Sequence, residues 1–116
     1  MRLFATLLGA ALLTTAAAGA RGARTQDQAQ IERGQKVYVA QKCGTCHSID
    51  GKGNRKGPLD DVGSKLTEEE LRLWIVDAPA MTAKTTAARK PPMKSYKLPE
   101  EDLDALVAYM RSLKKG

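Results

Sequence analysis

Cys43-Gly44-Thr45-Cys46-His47 is the stretch that decides how this chain is read. Two thiols separated by two residues, with a histidine directly after the second, form the attachment pattern of a c-type haem. The thiols are spaced to add across the two vinyl groups of one porphyrin. The adjacent imidazole is then held under the ring, where it can take the iron.

Other chemistries fit these residues less well. A disulfide is the default for cysteines of an exported protein, but a two-residue spacer closes too small a loop to be an effective staple. A thiol–disulfide oxidoreductase normally places such a pair at a helix start beside a βαβ pattern. Here the pair follows a helical stretch, no strand alternation appears, and His47 would be incidental. A structural zinc site would be one ligand short with two cysteines and a single histidine.

Upstream of the motif the 116-residue chain begins like an exported precursor. Met1-Arg2 is followed by an apolar run from Leu3 to Leu13 and a small-residue stretch from Thr14 to Ala20. Residues 1–20 are therefore expected to be a signal peptide, which places the mature protein in the periplasm or an equivalent exported compartment. The alternative is an uncleaved membrane anchor, although the apolar run is about half the ~20 residues a spanning helix needs. Once the signal is cleaved, no stable membrane insertion is expected. The polar segment 21–30 reads as a flexible leader, and 31–116 as one small domain.

Within that domain three helical stretches stand out. Ile31, Val37, Tyr38 and Ala40, with Gly34 on the side of Val37 and Tyr38, suggest an amphipathic helix running into the motif. Thr67 and Glu70 form a capping box, Leu66 and Leu71 a staple, and Leu71, Trp74, Ile75 and Ala78 an apolar stripe that Pro79 should end. Leu103, Leu106, Val107, Met110 and Leu113 mark the last helix, which begins at Pro99 with acidic residues in its first turn. Between these stretches, 48–65 is glycine-rich, and 79–97 has no period and reads as irregular but functional. Only four aromatic residues follow residue 30 (Tyr38, Trp74, Tyr96 and Tyr109), a lean core that a buried porphyrin would complete.

From about residue 30 onward the chain resembles the class I monohaem cytochromes c. The likeness rests on the Cys-x-x-Cys-His motif after a first helix, Gly57-Pro58-Leu59 beyond it, and Met93 in a loop before a final helix. The resemblance implies an all-α cytochrome c fold, with three main helices and loops wrapped around one covalently attached haem. It also implies one-electron transfer by the haem iron rather than enzymatic turnover. Carried onto this sequence, Cys43 and Cys46 hold the haem, His47 is the first axial ligand, and the Pro58 carbonyl accepts a hydrogen bond from His47. Gly34, Tyr38, Leu106 and Tyr109 resemble the faces at which the family's first and last helices cross, and are expected to be core residues.

His47 is the only histidine, so the second iron ligand must be of another kind. Met110 lies in a helix stripe, where packing is the commoner role. Met93, in Pro91-Pro92-Met93-Lys94-Ser95-Tyr96, resembles the family's ligand loop and is preferred. Met81, and a weak or missing sixth ligand, remain alternatives. Methionine/histidine ligation raises the reduction potential and fills both axial positions, which favours a carrier over a catalyst. Trp74 and Tyr96 are candidates to touch the haem, with simple helix packing the alternative for Trp74.

The formal net charge is +6, and no nucleic-acid-binding motif accompanies it. Lys42, Lys52, Arg55 and Lys56 flank the motif, and Lys84, Arg89, Lys90, Lys94 and Lys97 lie in or beside the Met93 loop. A positive collar around the haem edge is expected to steer acidic redox proteins or membrane-bound oxidoreductases, unless these are ordinary solvated loops. A free carrier and a small haem subunit of a larger periplasmic oxidoreductase are equally compatible with this pattern.

Overall fold

The first helix, α1, spans Ala18–Ala40 and hands the chain directly to the Cys-x-x-Cys-His motif. The structure, a computed structural model, describes residues 18–115, with side chains from residue 26 onward. The expected signal peptide over 1–20 therefore lies outside the described residues, apart from the last three, which begin α1. The segment 21–30 is a correction to the sequence reading, since it is helical and not an irregular leader. Its alanines, arginines and glutamines are good helix formers, so helix can propagate without an apolar stripe to pack. Among the described residues no helix is long and apolar enough to cross a membrane.

After α1, Lys42 takes a left-handed conformation and Cys43–Thr45 forms a single 3₁₀ turn. Two-residue strands β1 (Ser48–Ile49) and β2 (Lys52–Gly53) then pair antiparallel, with Ile49 opposite Lys52. Asp50-Gly51, both at positive φ, closes this hairpin, as an Asp-Gly pair does in a tight two-residue turn. This is a small piece of regular structure in a segment expected to have none. The short helix α2 (Val62–Lys65) follows.

Helix α3 runs Glu68–Val76 and starts as its sequence predicts. The Thr67 side chain accepts from the Glu70 amide, and the Glu70 carboxylate accepts from the Thr67 amide. Loss of such a cap costs about 1 kcal/mol. Pro79 does not end the helical region. A further helix, α4 (Ala78–Thr85), begins immediately, with Asp77 accepting from the Ala80 amide and Pro79 in the first turn. Proline lacks the amide hydrogen that an opening turn leaves unbonded, so it can start a helix as readily as stop one. Helix α5 (Glu100–Ser112) closes the fold.

The core forms where α1, α3 and α5 meet, around Val37, Leu71, Ile75, Leu106, Val107 and Met110. At the α1–α5 crossing a Cβ on Gly34 would overlap the Ala105 carbonyl and lie 2.7 Å from the Tyr109 Cβ. Only glycine lets the backbones approach that closely. The Tyr38 ring meets Tyr109 edge-on, with centroids 6.0 Å apart. The architecture is the expected all-α one: the described residues form three main helices, two shorter ones and long connecting loops, arranged around a cleft.

Candidate functional site

Local hydrogen bonds hold the motif rigidly. The His47 amide donates to the Cys43 carbonyl at 2.9 Å, and the Asn54 amide donates to the carbonyls of both Gly44 and His47. Gly53, at φ +103°, folds so tightly onto this turn that a Cβ would overlap the His47 carbonyl. The turn is thereby clamped from one side by the hairpin loop.

One more link orients the imidazole. His47 Nδ1–H donates to the Gly57 carbonyl at 3.0 Å, leaving the Nε2 lone pair free. The expected acceptor was the Pro58 carbonyl, one residue later, and this is a correction. The Ser48 amide donates to the Gly57 carbonyl and the Leu59 amide to the Ser48 carbonyl. That pairing turns the Gly57 oxygen toward the motif. Burial holds the His47 pKa below its ordinary value; the Gly57 bond opposes this and the nearby Arg89 charge adds to it. The imidazole is therefore neutral near pH 7, the form that can bind a metal.

His47 and Cys43 line a cleft enclosing about 1020 Å³ of empty space, part of it open to solvent. Leu71, Trp74 and Ile75 of α3 and Leu106 and Met110 of α5 supply much of its apolar lining. Pro92, Met93 and Tyr96 come from the loop before α5, which the Tyr96 amide anchors by donating to the Ile75 carbonyl at 2.8 Å.

The cleft thus gathers Cys43, His47 and Met93, while Cys46 is exposed and neither it nor Pro58 lines the wall. Both cysteines are free thiols, and burial pushes the Cys43 pKa up. Met81 is 3% exposed within α4 and does not line the cleft. Trp74 does both things considered for it, continuing the α3 stripe and lining the cleft. Tyr38 and Leu106 likewise serve both the crossing and the wall. Among the described residues, no three His, Cys, Asp or Glu side chains come together as a metal site.

The cytochrome c family matches residues 31–114. This chain belongs to the cytochrome c family. Its members carry out haem-based electron transfer, and membership implies covalently bound haem c with its iron. The cytochrome is also similar to the cytochrome c oxidase subunit 2 of Alkalihalophilus pseudofirmus, 31% identical over 91 residues. That match covers 71% of this chain but 25% of the relative, so the chain spans about a quarter of the relative's length. No solved structure matches the chain.

The residues present fit a haem. The cleft is apolar and open on one side, free thiols and a neutral imidazole stand beside it, and a thioether lines it. The Tyr38 hydroxyl is buried without a hydrogen-bond partner, and burial pushes its pKa up to about 12. An orphaned hydroxyl beside an apolar cleft is the kind of group a ligand or an ordered water satisfies.

Sequence reasoning missed two features here. The Gly57 carbonyl has no sequence signal distinguishing it from its neighbour. Arg89, expected only in the outer collar, is exposed yet also lines the cleft, with its Nη1 against Gly57.

Proposed function

We propose that this cytochrome is a one-electron carrier holding a single haem c in the cleft. Cys43 and Cys46 would form the two thioether links, with His47 Nε2 and the Met93 sulfur as axial ligands. A haem held there would supply the chemistry, one-electron exchange between the ferric and ferrous states of its iron. The protein's residues orient the ligands, exclude water and surround the ring with apolar surface. With both axial positions filled, the iron offers no standing site for oxygen or peroxide, so this reading makes the protein a carrier and not an enzyme.

The observation that carries this reading is that Met93 lines the cleft with His47 and Cys43, whereas Met81 is buried elsewhere. Protein matured in an export-competent host with haem-attachment machinery should gain the mass of one haem. It should give a thioether-type reduced pyridine haemochrome and show the weak ferric band near the red edge that marks methionine ligation. Folded protein at apoprotein mass would sink the proposal.

The exposed Lys42, Lys52, Lys56, Lys90, Lys94 and Lys97 support docking of acidic redox proteins or membrane-bound oxidoreductases. Several carboxylates are engaged by arginines instead: Glu101 and Asp102 with Arg33, Glu100 and Asp104 with Arg72, and Glu68 with Arg111. None of these ion pairs involves a lysine, so the exposed lysine charge is available for steering. Export through the signal peptide at 1–20 completes the reading.

The similarity to part of an oxidase subunit supports a second reading, in which the domain is the haem component of a larger oxidoreductase. The chemistry is the same and the partner is permanent. Native size-exclusion of the membrane and soluble fractions separates the two, because a free carrier elutes at the mass of one small domain.

A further inference from the structure

Arg89 is the only charged side chain among the described residues lining the cleft. Its Nη1 lies against Gly57, where an added Cβ would collide with it. Gly57 in turn carries the carbonyl that receives His47 Nδ1–H. Arg89 therefore links the loop bearing Met93 to the loop that orients His47.

The guanidinium also lacks an anion. Arg33, Arg72 and Arg111 each hold carboxylates, and Arg55 donates to the Gly51 carbonyl. Among the described residues no carboxylate lies within ion-pair distance of Arg89. Arg89 is exposed, so water solvates its charge now; a group seated in the cleft would displace part of that water and favour a paired anion. Haem brings the missing partner, because its apolar macrocycle carries two propionate carboxylates. A planar five-donor fork suits a carboxylate better than any other side chain.

We propose that the Arg89 guanidinium is the counter-ion to a haem propionate, positioning the polar edge of the cofactor and raising the reduction potential of its iron. This rests on the haem occupying the cleft as proposed above. A positive charge held close to the ring favours the ferrous state, which carries one positive charge fewer than the ferric. The same ion pair ties the Met93 loop to the cofactor and to the His47 side of the site.

The test compares haem-loaded wild type with Arg89→Gln, Arg89→Lys and, as a charge-matched control outside the cleft, Arg55→Gln. Midpoint potentials come from spectroelectrochemical titration, and the propionate carboxylates are followed by redox-difference infrared spectra with ¹³C-propionate haem. Arg89→Gln should lower the potential and shift a carboxylate band while keeping the red-edge ferric band. Arg89→Lys should retain most of the potential but still shift the carboxylate band, because it keeps the charge and loses the fork. Arg55→Gln should leave that band unchanged. Unmoved carboxylate bands in both Arg89 variants would overturn the assignment, as would a potential shift no larger than that of Arg55→Gln. Should Arg89→Gln fail to mature, the band shift in Arg89→Lys decides alone. Wild-type protein lacking covalent haem would instead overturn the functional reading on which the pairing depends.

Discussion

His47 and Gly57 are joined through the imidazole Nδ1 and a main-chain carbonyl 3.0 Å away, so the ring's orientation is set by backbone. A Cβ on Gly57 would overlap the Cys46 carbonyl and crowd Arg89. Gly57→Ala should therefore displace the acceptor as well as strain the loop. The expected cost is about 1–3 kcal/mol in denaturant unfolding, typical of overpacking. In haem-loaded protein the iron–imidazole stretching frequency should change as the hydrogen bond weakens. An unaltered frequency would mean that the loop adapts without moving the carbonyl.

Met93 and Met81, the two methionines weighed as the second iron ligand, should behave oppositely. Met93→Ala should abolish the red-edge ferric band and lower the reduction potential, with only a modest loss of stability, because Met93 is half-buried in a loop. Met81→Ala removes a side chain that is 3% exposed, so about 2–5 kcal/mol of stability should be lost while the band persists. The opposite spectroscopic pattern would reassign the ligand.

The helix crossing tolerates no side chain at residue 34. Gly34→Val would push a branched group into the Ala105 carbonyl and the Tyr109 Cβ. The backbones of α1 and α5 would have to separate, at a cost of at least about 3 kcal/mol, the upper part of the usual range for overpacking. Equilibrium unfolding would read this directly, and near-wild-type stability would show that the crossing can slide.

Alkaline pH should weaken the fold through Tyr38. Its pKa is raised by burial from 10.0 to about 12, which favours the neutral phenol in the folded state. The unfolded chain releases that proton first. Stability from this group is thus fully present below about pH 10 and declines as pH rises toward 12. Tyr38→Phe should flatten part of this decline, since it keeps the ring against Tyr109 and removes the unpartnered hydroxyl. Burial also raises Tyr96 and Tyr109, so a residual decline is expected in the variant.

Charge reversal tests the collar. Lys90→Glu with Lys94→Glu should slow electron transfer to an acidic partner by about tenfold or more at low salt, within the range of electrostatic steering. The difference should shrink as ionic strength rises and the Debye length falls below about 10 Å. A rate independent of salt in wild type would remove steering from the account.

Sequence legibility followed the range of the determining contacts. The start of α3 was readable because the Thr67–Glu70 box lies within one turn. Helix α4 is hard to read from sequence because Pro79 resembles a stop, although Asp77 two residues earlier is an N-cap signal. The helical character of 21–30 was missed for a different reason. Its propensity is favourable, but no apolar periodicity advertises it.

By itself the sequence determined the attachment motif, the family, the crossing glycine and the three main helices. These depend on residue identity and on spacings of a few positions. Only the tertiary structure decided that Gly57 and not Pro58 faces His47, that Met93 and not Met81 borders the cleft, and that Arg89 borders it beside Gly57. Each of those depends on how irregular loops close over tens of residues, where a shift of one position redirects a carbonyl or side chain and leaves the local pattern unchanged.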